Sequence, residues 1–441
     1  MVTRRNVKPM PTTAFTAKVE SLNHDGRGVA HLDGKTIFIE GALPDEVVSF
    51  QYVTQRKRYD EGRVVDIITP SALRVEPRCP HFGICGGCSF QHLAPEAQIL
   101  AKQQQLLDAL KHIGKVAPEE VLPPLTAEAW GYRRKARLGA KYVDKKGAML
   151  VGFREKRSAL LAELSRCDVL HPAIGQRIGA LRELLKGLVA YKRIPQVEVA
   201  IGDHVVTLVF RHLDELSEAD RQHLIAFGQR HDIHIYLQPK GPDSVHLLWP
   251  EHSELSYRLG EFDVELKFAP TDFIQINAAI NQKIVSLAVQ LLDPQPDERV
   301  LDLFCGLGNF TLPLARRAQH VVAVEGDEGL VVRGRLNAQH NGIENVEFHA
   351  ADLSLEPRQF SWYGGGFDKI LLDPPRSGAY EVVRNIEAFG AARIVYVSCN
   401  PATLARDAEV LVDAGYTLRS AGVMDMFPHT THVESIALFV C

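Results

Sequence analysis

Hydrophobic and polar positions change rhythm twice along this chain. Between residues 12 and 70, apolar and polar residues alternate in short stretches (15–19, 36–39, 47–53 and 63–68) separated by the turn signals Asp25-Gly26, Asp33-Gly34 and Leu43-Pro44-Asp45. A period of two bounded by such turns predicts half-buried strands, and so short a segment removes its free edges by closing into a small OB-like β-barrel. After a linker over 71–77, Pro95 opens a helix predicted over 94–114. Leu100, Leu106, Leu107 and Leu110 recur in it at helical intervals, and Gly114 closes it. From 130 to 268 strands dominate (137–143, 196–201, 205–210, 233–238 and 264–268), with helices such as 174–188 between them. The pattern suits a central α+β domain over 71–268, with the 94–114 helix expected to pack on the carboxyl-terminal domain.

Beyond Lys267 strand and helix alternate, the signature of a doubly wound parallel sheet. A helix over 280–292 leads into a strand over 299–304 and a helix over 308–317. Strands at 320–324, 346–349, 367–372 and 393–397 come next, then a helix over 403–413 and a closing hairpin whose last strand is 435–440. This is an α/β, Rossmann-like domain over 269–441. Ligands of such sheets sit at the carboxyl ends of the strands, where this chain places Glu325, Asp352, Asp373 and Cys399.

Composition narrows the class only a little. A hydrophobic content of 46% and a charged content of 24% are ordinary for a globular protein with two or three cores. Arg4, Arg5 and Lys8 are followed by no apolar segment, and no run reaches the length of a membrane span. A cytoplasmic monomer without membrane contact is therefore expected. In that compartment seven cysteines read as thiols, metal ligands or nucleophiles rather than disulfides.

A net charge of −4 argues against a general nucleic-acid binder, but the distribution does not. Between Trp130 and Arg157, ten basic residues are opposed only by Asp144 and Glu155, and Trp130, Tyr132, Tyr142 and Phe153 are interleaved with them. Such a run can neutralise phosphates and stack bases. Taken alone it reads equally well as a solvated charged face. Arg56-Lys57-Arg58-Tyr59 would lie on a barrel loop that can touch RNA.

Cys79, Cys85 and Cys88 stand in C-x5-C-x2-C spacing, with Gly83, Gly86 and Gly87 letting the backbone wrap closely. Three clustered thiols call for a fourth ligand. Cys167 is the best candidate, because Cys305 reads as packing and Cys399 as a nucleophile. From spacing alone a [4Fe-4S] cluster and a tetrahedral zinc, completed by Cys167 or His92, fit equally well.

Asp302-Leu303-Phe304-Cys305-Gly306-Leu307-Gly308-Asn309-Phe310 joins a strand to a helix but lacks the third glycine of a dinucleotide fingerprint. With Glu325 placed for ribose hydroxyls, S-adenosylmethionine fits better than NAD. Asp373-Pro374-Pro375 alone would also suit methylation of an exocyclic amine, a reaction that needs no cysteine. Cys399 on the neighbouring strand end points instead to a carbon that is a poor nucleophile, such as C5 of uracil. Thiolate addition at C6 turns C5 into an enolate carbon, and a base must later remove the C5 proton. Each residue also has a plainer reading: Cys399 as a small buried hydrophobe, Glu434 as a surface residue and Asp352 as a helix cap.

Ser398-Cys399-Asn400-Pro401, Asp373-Pro374-Pro375-Arg376 and Phe427-Pro428-His429-Thr430-Thr431-His432-Val433-Glu434 resemble the motifs of the RNA uracil-C5 methyltransferase family. The likeness runs over essentially the whole chain. Leu22-Asn23-His24-Asp25-Gly26-Arg27-Gly28, with Ile39 to Glu46, resembles the TRAM domain of RNA-modifying enzymes. Barrel, cysteine loop and catalytic set together are most similar to the members acting on bacterial large-subunit ribosomal RNA. The resemblance implies methylation of C5 of a uridine in 23S rRNA, with Cys399 as nucleophile and Glu434 as base. It further implies that Gln275, Phe304, Asn309, Glu325, Asp352 and Asp373 contact S-adenosylmethionine. It also implies that Cys79, Cys85, Cys88 and Cys167 hold a [4Fe-4S] cluster. Alternatives are the same chemistry on a tRNA or another rRNA uridine, a non-catalytic RNA-binding assembly factor, or a radical enzyme. The last needs an open iron held by three cysteines, whereas Cys167 supplies a fourth.

Overall fold

Strands joined by tight turns pair first with their neighbours, and the amino-terminal segment is built in this way. The computed structural model describes residues 13–441, so Arg4, Arg5 and Lys8 lie outside the described residues, as does residue 12 of the expected barrel. The chain divides into two compact units. One comprises Met1–Phe82, Cys88–Ala101 and His429–Thr431; the other comprises Gly83–Gly87, Lys102–Pro428 and His432–Cys441.

In the first unit six strands form one sheet in the order Phe15–Lys18, Val47–Gln55, Tyr59–Thr69, Lys35–Glu40, Gly28–Leu32, Ser21–Leu22. Its two edge strands are consecutive in sequence and separated only by Val19 and Glu20. That connection can span the sheet only if the sheet curls until its edges meet, which is the expected barrel. Register shifts along the Val47–Gln55 and Tyr59–Thr69 pair supply bends of the kind that curl a sheet. Val19, Ile37, Ile39, Val48 and Phe50 fill the interior.

In the second unit a six-stranded mixed sheet runs in the order His246–Trp249, His234–Gln238, Val206–Arg211, Gln196–Ile201, Lys135–Val143, Ala148–Gly152. A separate hairpin, Leu255–Leu259 with Val264–Phe268, shares its core with the next part of the chain: Tyr257, Leu266 and Phe268 pack in one cluster with Ile280, Ile284 and Val300. Asn337, 1% exposed, fastens it: Lys267 N donates to its Oδ1 at 2.9 Å, and its Nδ2 donates to the carbonyls of Lys267 and Leu307.

The largest sheet has eight strands, in the order Val346–Ala350, His320–Glu325, Arg299–Leu303, Lys369–Leu372, Arg393–Ser398, Glu434–Val440, Thr417–Met424, Glu120–Val121. The first five are parallel, and Glu434–Val440 is antiparallel to both of its neighbours. Strand order reverses between Arg299–Leu303 and Lys369–Leu372, so a crevice opens at their carboxyl ends.

Three helices differ in some way from their expected form. The helix over 308–317 shrinks to Thr311–Ala315 because Gly306 and Gly308 hold φ at 56° and 100°, outside the helical region. The helix over 174–188 splits into Pro172–Gly175 and Ile178–Lys186. At the break the Cys167 carbonyl lies so near Gly175 that a Cβ there would approach it to 2.2 Å. Pro95–His112 forms over the expected span, but its buried stripe keeps only part of the leucine stripe. Leu100 is 58% exposed, while Ile99, Lys102, Leu106 and Leu110 are buried. Its closing end packs on the carboxyl-terminal domain, since a Cβ at Gly114 would come within 2.3 Å of the Ala405 carbonyl.

Replacing Asn337 with Leu removes both halves of the hairpin bond inside a dry core. Loss of roughly 2–3 kcal/mol of stability is expected, read as a lower urea midpoint together with faster hydrogen exchange at the Lys267 amide.

Candidate active site

The site is built from five strand ends and one loop. At the end of Arg299–Leu303 the backbone turns sharply through Phe304, whose φ of 66° is rare for a bulky residue. The amides of Phe304 and Cys305 both donate to the Val324 carbonyl, at 2.8 and 3.1 Å, and hold the strained turn in place. Gly306 donates its amide to Glu325 Oε2 at 3.0 Å, while Glu325 Oε1 accepts from Asp327 N. The glycine loop is thus tied to the end of the next strand. A Cβ at Gly306 would meet nothing within 4 Å, so the loop borders open space.

Beneath the loop Asp302 is fully buried, with Oδ2 accepting from Thr311 Oγ1 at 2.5 Å and Oδ1 without a hydrogen-bond partner among the described residues. Burial, then the charges of Asp373 and Glu325, push it up to about 8, although the Thr311 bond opposes them. Asp373 is pushed up to about 7 by burial and then by Glu325. Acidic groups crowded together in this way favour a cationic ligand. Together with the open glycine loop, they fit the ammonium and sulfonium charges of S-adenosylmethionine.

The expected cofactor residues do not all stand alike. Phe304, Glu325 and Asp373 border the strand-end crevice. Asn309 is engaged within the protein: it exchanges two amide hydrogen bonds with Asn281, both 2.9 Å, and accepts from Tyr257 Oη. Asp352 is exposed and folds back on its own turn, accepting from the amide and hydroxyl of Ser354. Gln275 is half-buried, in a segment fixed by Arg134 N donating to the Ile276 carbonyl at 3.0 Å.

Cys399 and Glu434, 35 positions apart in sequence, are brought together by sheet register. Arg393–Ser398 pairs antiparallel with Glu434–Val440, and its last pair is Ser398 with Ser435. Cys399 is the next residue beyond that last pair on one strand and Glu434 the next on the other, and the thiol lies within electrostatic reach of Glu434. Ser435 Oγ donates to the Ser398 carbonyl and secures this corner. Asn400 caps the Pro401–Asp413 helix through Ala402 N, and its Nδ2 donates to the Arg376 carbonyl at 3.1 Å. The Asp373-Pro374-Pro375-Arg376 turn is thereby joined to the turn that carries Cys399.

Charge in this corner is poorly compensated. Burial, then Glu434 and Asp373, push the Cys399 thiol up to about 11, with Arg376 pulling the other way. Burial and Asp373 push Glu434 up to about 8 against Arg376 and Lys102. Neither cation stands out as a site residue in the sequence, although Arg376 lies inside the Asp-Pro-Pro-Arg motif. Arg376 also donates to His432 Nδ1 at 3.1 Å. The Cys305 thiol is buried and pushed up strongly by that burial, which suits packing rather than reaction.

Elsewhere, Cys79, Cys85 and Cys88 are half-buried and Cys167 is buried. The Cys85 sulfur accepts the Gly87 amide at 3.4 Å. Among the described residues, no group of three or more His, Cys, Asp or Glu side chains stands in an arrangement that could hold a metal ion. In the basic run, Arg134 pairs with Asp203, Arg137 with Glu198 and Lys146 with Glu163, while Arg133 lies over the Phe153 ring. Part of the expected phosphate-binding charge is therefore neutralised locally. Among the described residues, no helix is long and apolar enough to cross a membrane.

Comparison with known proteins gives one answer along the whole length. Residues 132–440 match the family described as tRNA (Uracil-5-)-methyltransferase, and residues 10–65 match the TRAM domain. The 23S rRNA (uracil(1939)-C(5))-methyltransferase RlmD of Alcanivorax borkumensis is 54% identical over 99% of this chain and 98% of its own. That of Hahella chejuensis is 53% identical over 99% of each. Among solved structures, a Pyrococcus abyssi tRNA (uracil-54, C5)-methyltransferase in complex with S-adenosyl-L-homocysteine superposes with a TM-score of 0.74. It is 25% identical and covers 97% of this chain and 100% of that chain. With a TRAM barrel ahead of a matched Rossmann-like domain, this chain belongs to the tRNA (uracil-5-)-methyltransferase family.

Proposed function

We propose that this protein methylates C5 of one uridine in 23S rRNA, the equivalent of the position 1939 named in its relatives, with S-adenosylmethionine as donor. The observation that supports the reading is that Cys399 and Glu434 flank the end of one strand ladder, with the Cys399 thiol within electrostatic reach of Glu434 and of Asp373 at the sheet's switch point. S-adenosylmethionine, when bound, supplies an electrophilic methyl group. Phe304, Glu325 and Asp373 would line its site, with Gln275 on the facing segment and Asp352 at its exposed rim. Asn309 would act by fixing the glycine loop through Asn281. The TRAM barrel, with Arg56 stacked on Tyr59 at a loop tip, and the segment beginning at Arg133 would hold the RNA.

The bond changes fall to the chain's own residues. The Cys399 sulfur forms a bond to C6 of the uracil, and the C5–C6 π electrons move toward the C4 carbonyl oxygen. C5 becomes nucleophilic and takes the methyl group. A Glu434 oxygen next removes the C5 proton, the C5=C6 bond re-forms, and the C6–S pair returns to Cys399. A non-catalytic assembly role would need none of these groups in register.

The same reading assigns Cys79, Cys85, Cys88 and Cys167 to a [4Fe-4S] cluster. Its support is an all-thiol donor set in tight spacing and a Cys85 sulfur that accepts an amide hydrogen bond, as cluster ligands do. The cluster takes no part in the steps above. Protein purified without oxygen should be brown, with iron and acid-labile sulfide each at about four per chain. Colourless protein carrying one zinc would reject the assignment.

Two substitutions separate the chemical roles. Cys399→Ala should bind RNA and donor but form no covalent species. Glu434→Gln should transfer the methyl and then stall as a protein–RNA adduct that survives denaturing electrophoresis. Normal turnover by Glu434→Gln would disprove its role as base.

The pH dependence has a definite sign. A carboxyl group held at about 8 is mostly protonated below that pH and cannot accept a proton. Breakdown of the adduct, followed in a single turnover, should therefore accelerate as pH rises toward 8 and level off above it. A rate flat from pH 6 to 9 would contradict Glu434 as the titrating base.

A further inference from the structure

The helix Pro95–His112 buries a charge where its pattern calls for an apolar residue. Lys102 shares the buried stripe with Ile99, Leu106 and Leu110 and is 1% exposed. Its ammonium donates to Asp425 Oδ1 at 2.7 Å and to the Phe427 carbonyl at 3.0 Å. Both acceptors lie at the start of the connection that leaves Thr417–Met424 and returns as Glu434–Val440. Next to them is a second anchor, with Tyr132 Oη donating to the Pro428 carbonyl at 3.2 Å. Desolvating an ammonium and a carboxylate together is costly, and an apolar pair of similar volume would serve packing as well or better. A lysine here is therefore better explained by what its charge does than by stability.

The charge has a target. Glu434 lies within its electrostatic reach, and Lys102 and Arg376 are the two cations that favour the Glu434 carboxylate, against Asp373 and burial. The groups that act on Glu434 or feel its charge are Asp373 and Arg376 from the Asp-Pro-Pro-Arg turn, Lys102 from the helix and the Cys399 thiol, with His432, bonded to Arg376, two positions away on its own connection. Arg376 acts on Glu434 the more strongly of the two, but it is drawn toward His432 and lies on an exposed turn, where salt screens it. Lys102 is locked in place and shielded from solvent.

We propose that Lys102 is a positioning residue for proton abstraction: it pins the connection through Asp425 and Phe427 so that Glu434 meets the substrate. It also supplies the fixed positive charge that keeps the Glu434 carboxylate available. This rests on the reading of Glu434 as the base. In the step concerned, a carboxylate oxygen takes the C5 proton, the C–H pair becomes the C5=C6 π bond, and the C6–S pair leaves with Cys399. Methyl transfer precedes this step, so Lys102 should matter little to it.

The test is single-turnover kinetics with isotopically labelled donor and a uridine-containing rRNA fragment. Methyl transfer and adduct decay are followed separately, for wild type, Lys102→Met, Lys102→Gln and Lys102→Arg, across pH 6 to 10. Both neutral variants should transfer the methyl at close to the wild-type rate. Their adducts should decay about tenfold more slowly at neutral pH and recover at higher pH, the limb moving up by about one pH unit. Lys102→Arg, which keeps the charge, should leave the limb where wild type has it even if its rate falls. Lys102→Gln, with an amide that can still donate to the connection, decides the matter if Lys102→Met does not fold. A limb that stays at the wild-type pH in the neutral variants overturns the proposal, whatever the rates. Failure of the underlying reading looks different: Glu434→Gln would then accumulate no adduct at all.

Discussion

One antiparallel strand determines what this site can do. A doubly wound parallel sheet carries its strand ends to a single edge, but each end delivers one short turn, and neighbouring turns diverge as the sheet twists. Glu434–Val440 enters from the opposite direction beside the last parallel strand, so its first residue arrives where that strand ends. The proposed nucleophile, Cys399, and the proposed base, Glu434, then flank the last pair of one strand ladder. Hydrogen bonds of a sheet fix the pair, and slipping by one residue would turn Glu434 to the other face.

What the register brings together, electrostatics resists. Asp302, Asp373 and Glu434 are all raised by burial and by neighbouring carboxylates, and the thiol is raised with them. Such a site is strained toward neutrality by itself and gains most when cationic donor and planar uracil enter. The scaffold holds the carboxyls in place by tying up backbone rather than neutralising them. Tyr396 and Asp407 do so behind the Asp-Pro-Pro-Arg turn, where both receive the Ala379 amide and bond to each other at 2.7 Å.

Groups on strand ends are legible in the sequence because a run of apolar residues stopping at one polar residue has few other meanings. Asp373 and Cys399 stand out on that ground, and the barrel is read from alternation and turns. Glu434 is reachable only through family likeness, since register across a long connection leaves no local pattern. At the break in the helix over 174–188 the Cys167 carbonyl leaves room only for a glycine at 175, a tertiary approach that periodicity does not show, and the Gly308 helix shortens because two glycines adopt positive φ. Asn309 is expected as a cofactor contact from family likeness, and its amide pairing with Asn281 is a tertiary feature that the sequence does not show. Lys102 is hidden differently. The leucine stripe draws attention to Leu100, which is solvent-facing, and a lysine in a helix ordinarily reads as a surface residue.

The placement of Cys399 and Glu434 also bears on how the site resets. At the end of the cycle the carboxyl holds the former C5 proton and the sulfur has left as thiolate. In the proposed cycle the thiolate is already the form that attacks C6, so only the carboxyl must lose its proton before the next round. The thiol sits at about 11 and the carboxyl at about 8, so a proton shared between them rests on the sulfur. That clears the base, but the proton that methylation releases overall must then leave from Cys399 before it can attack again. A nucleophile with a low pKa would attack more readily but would leave the base loaded. The raised thiol thus trades ease of attack against ease of clearing Glu434.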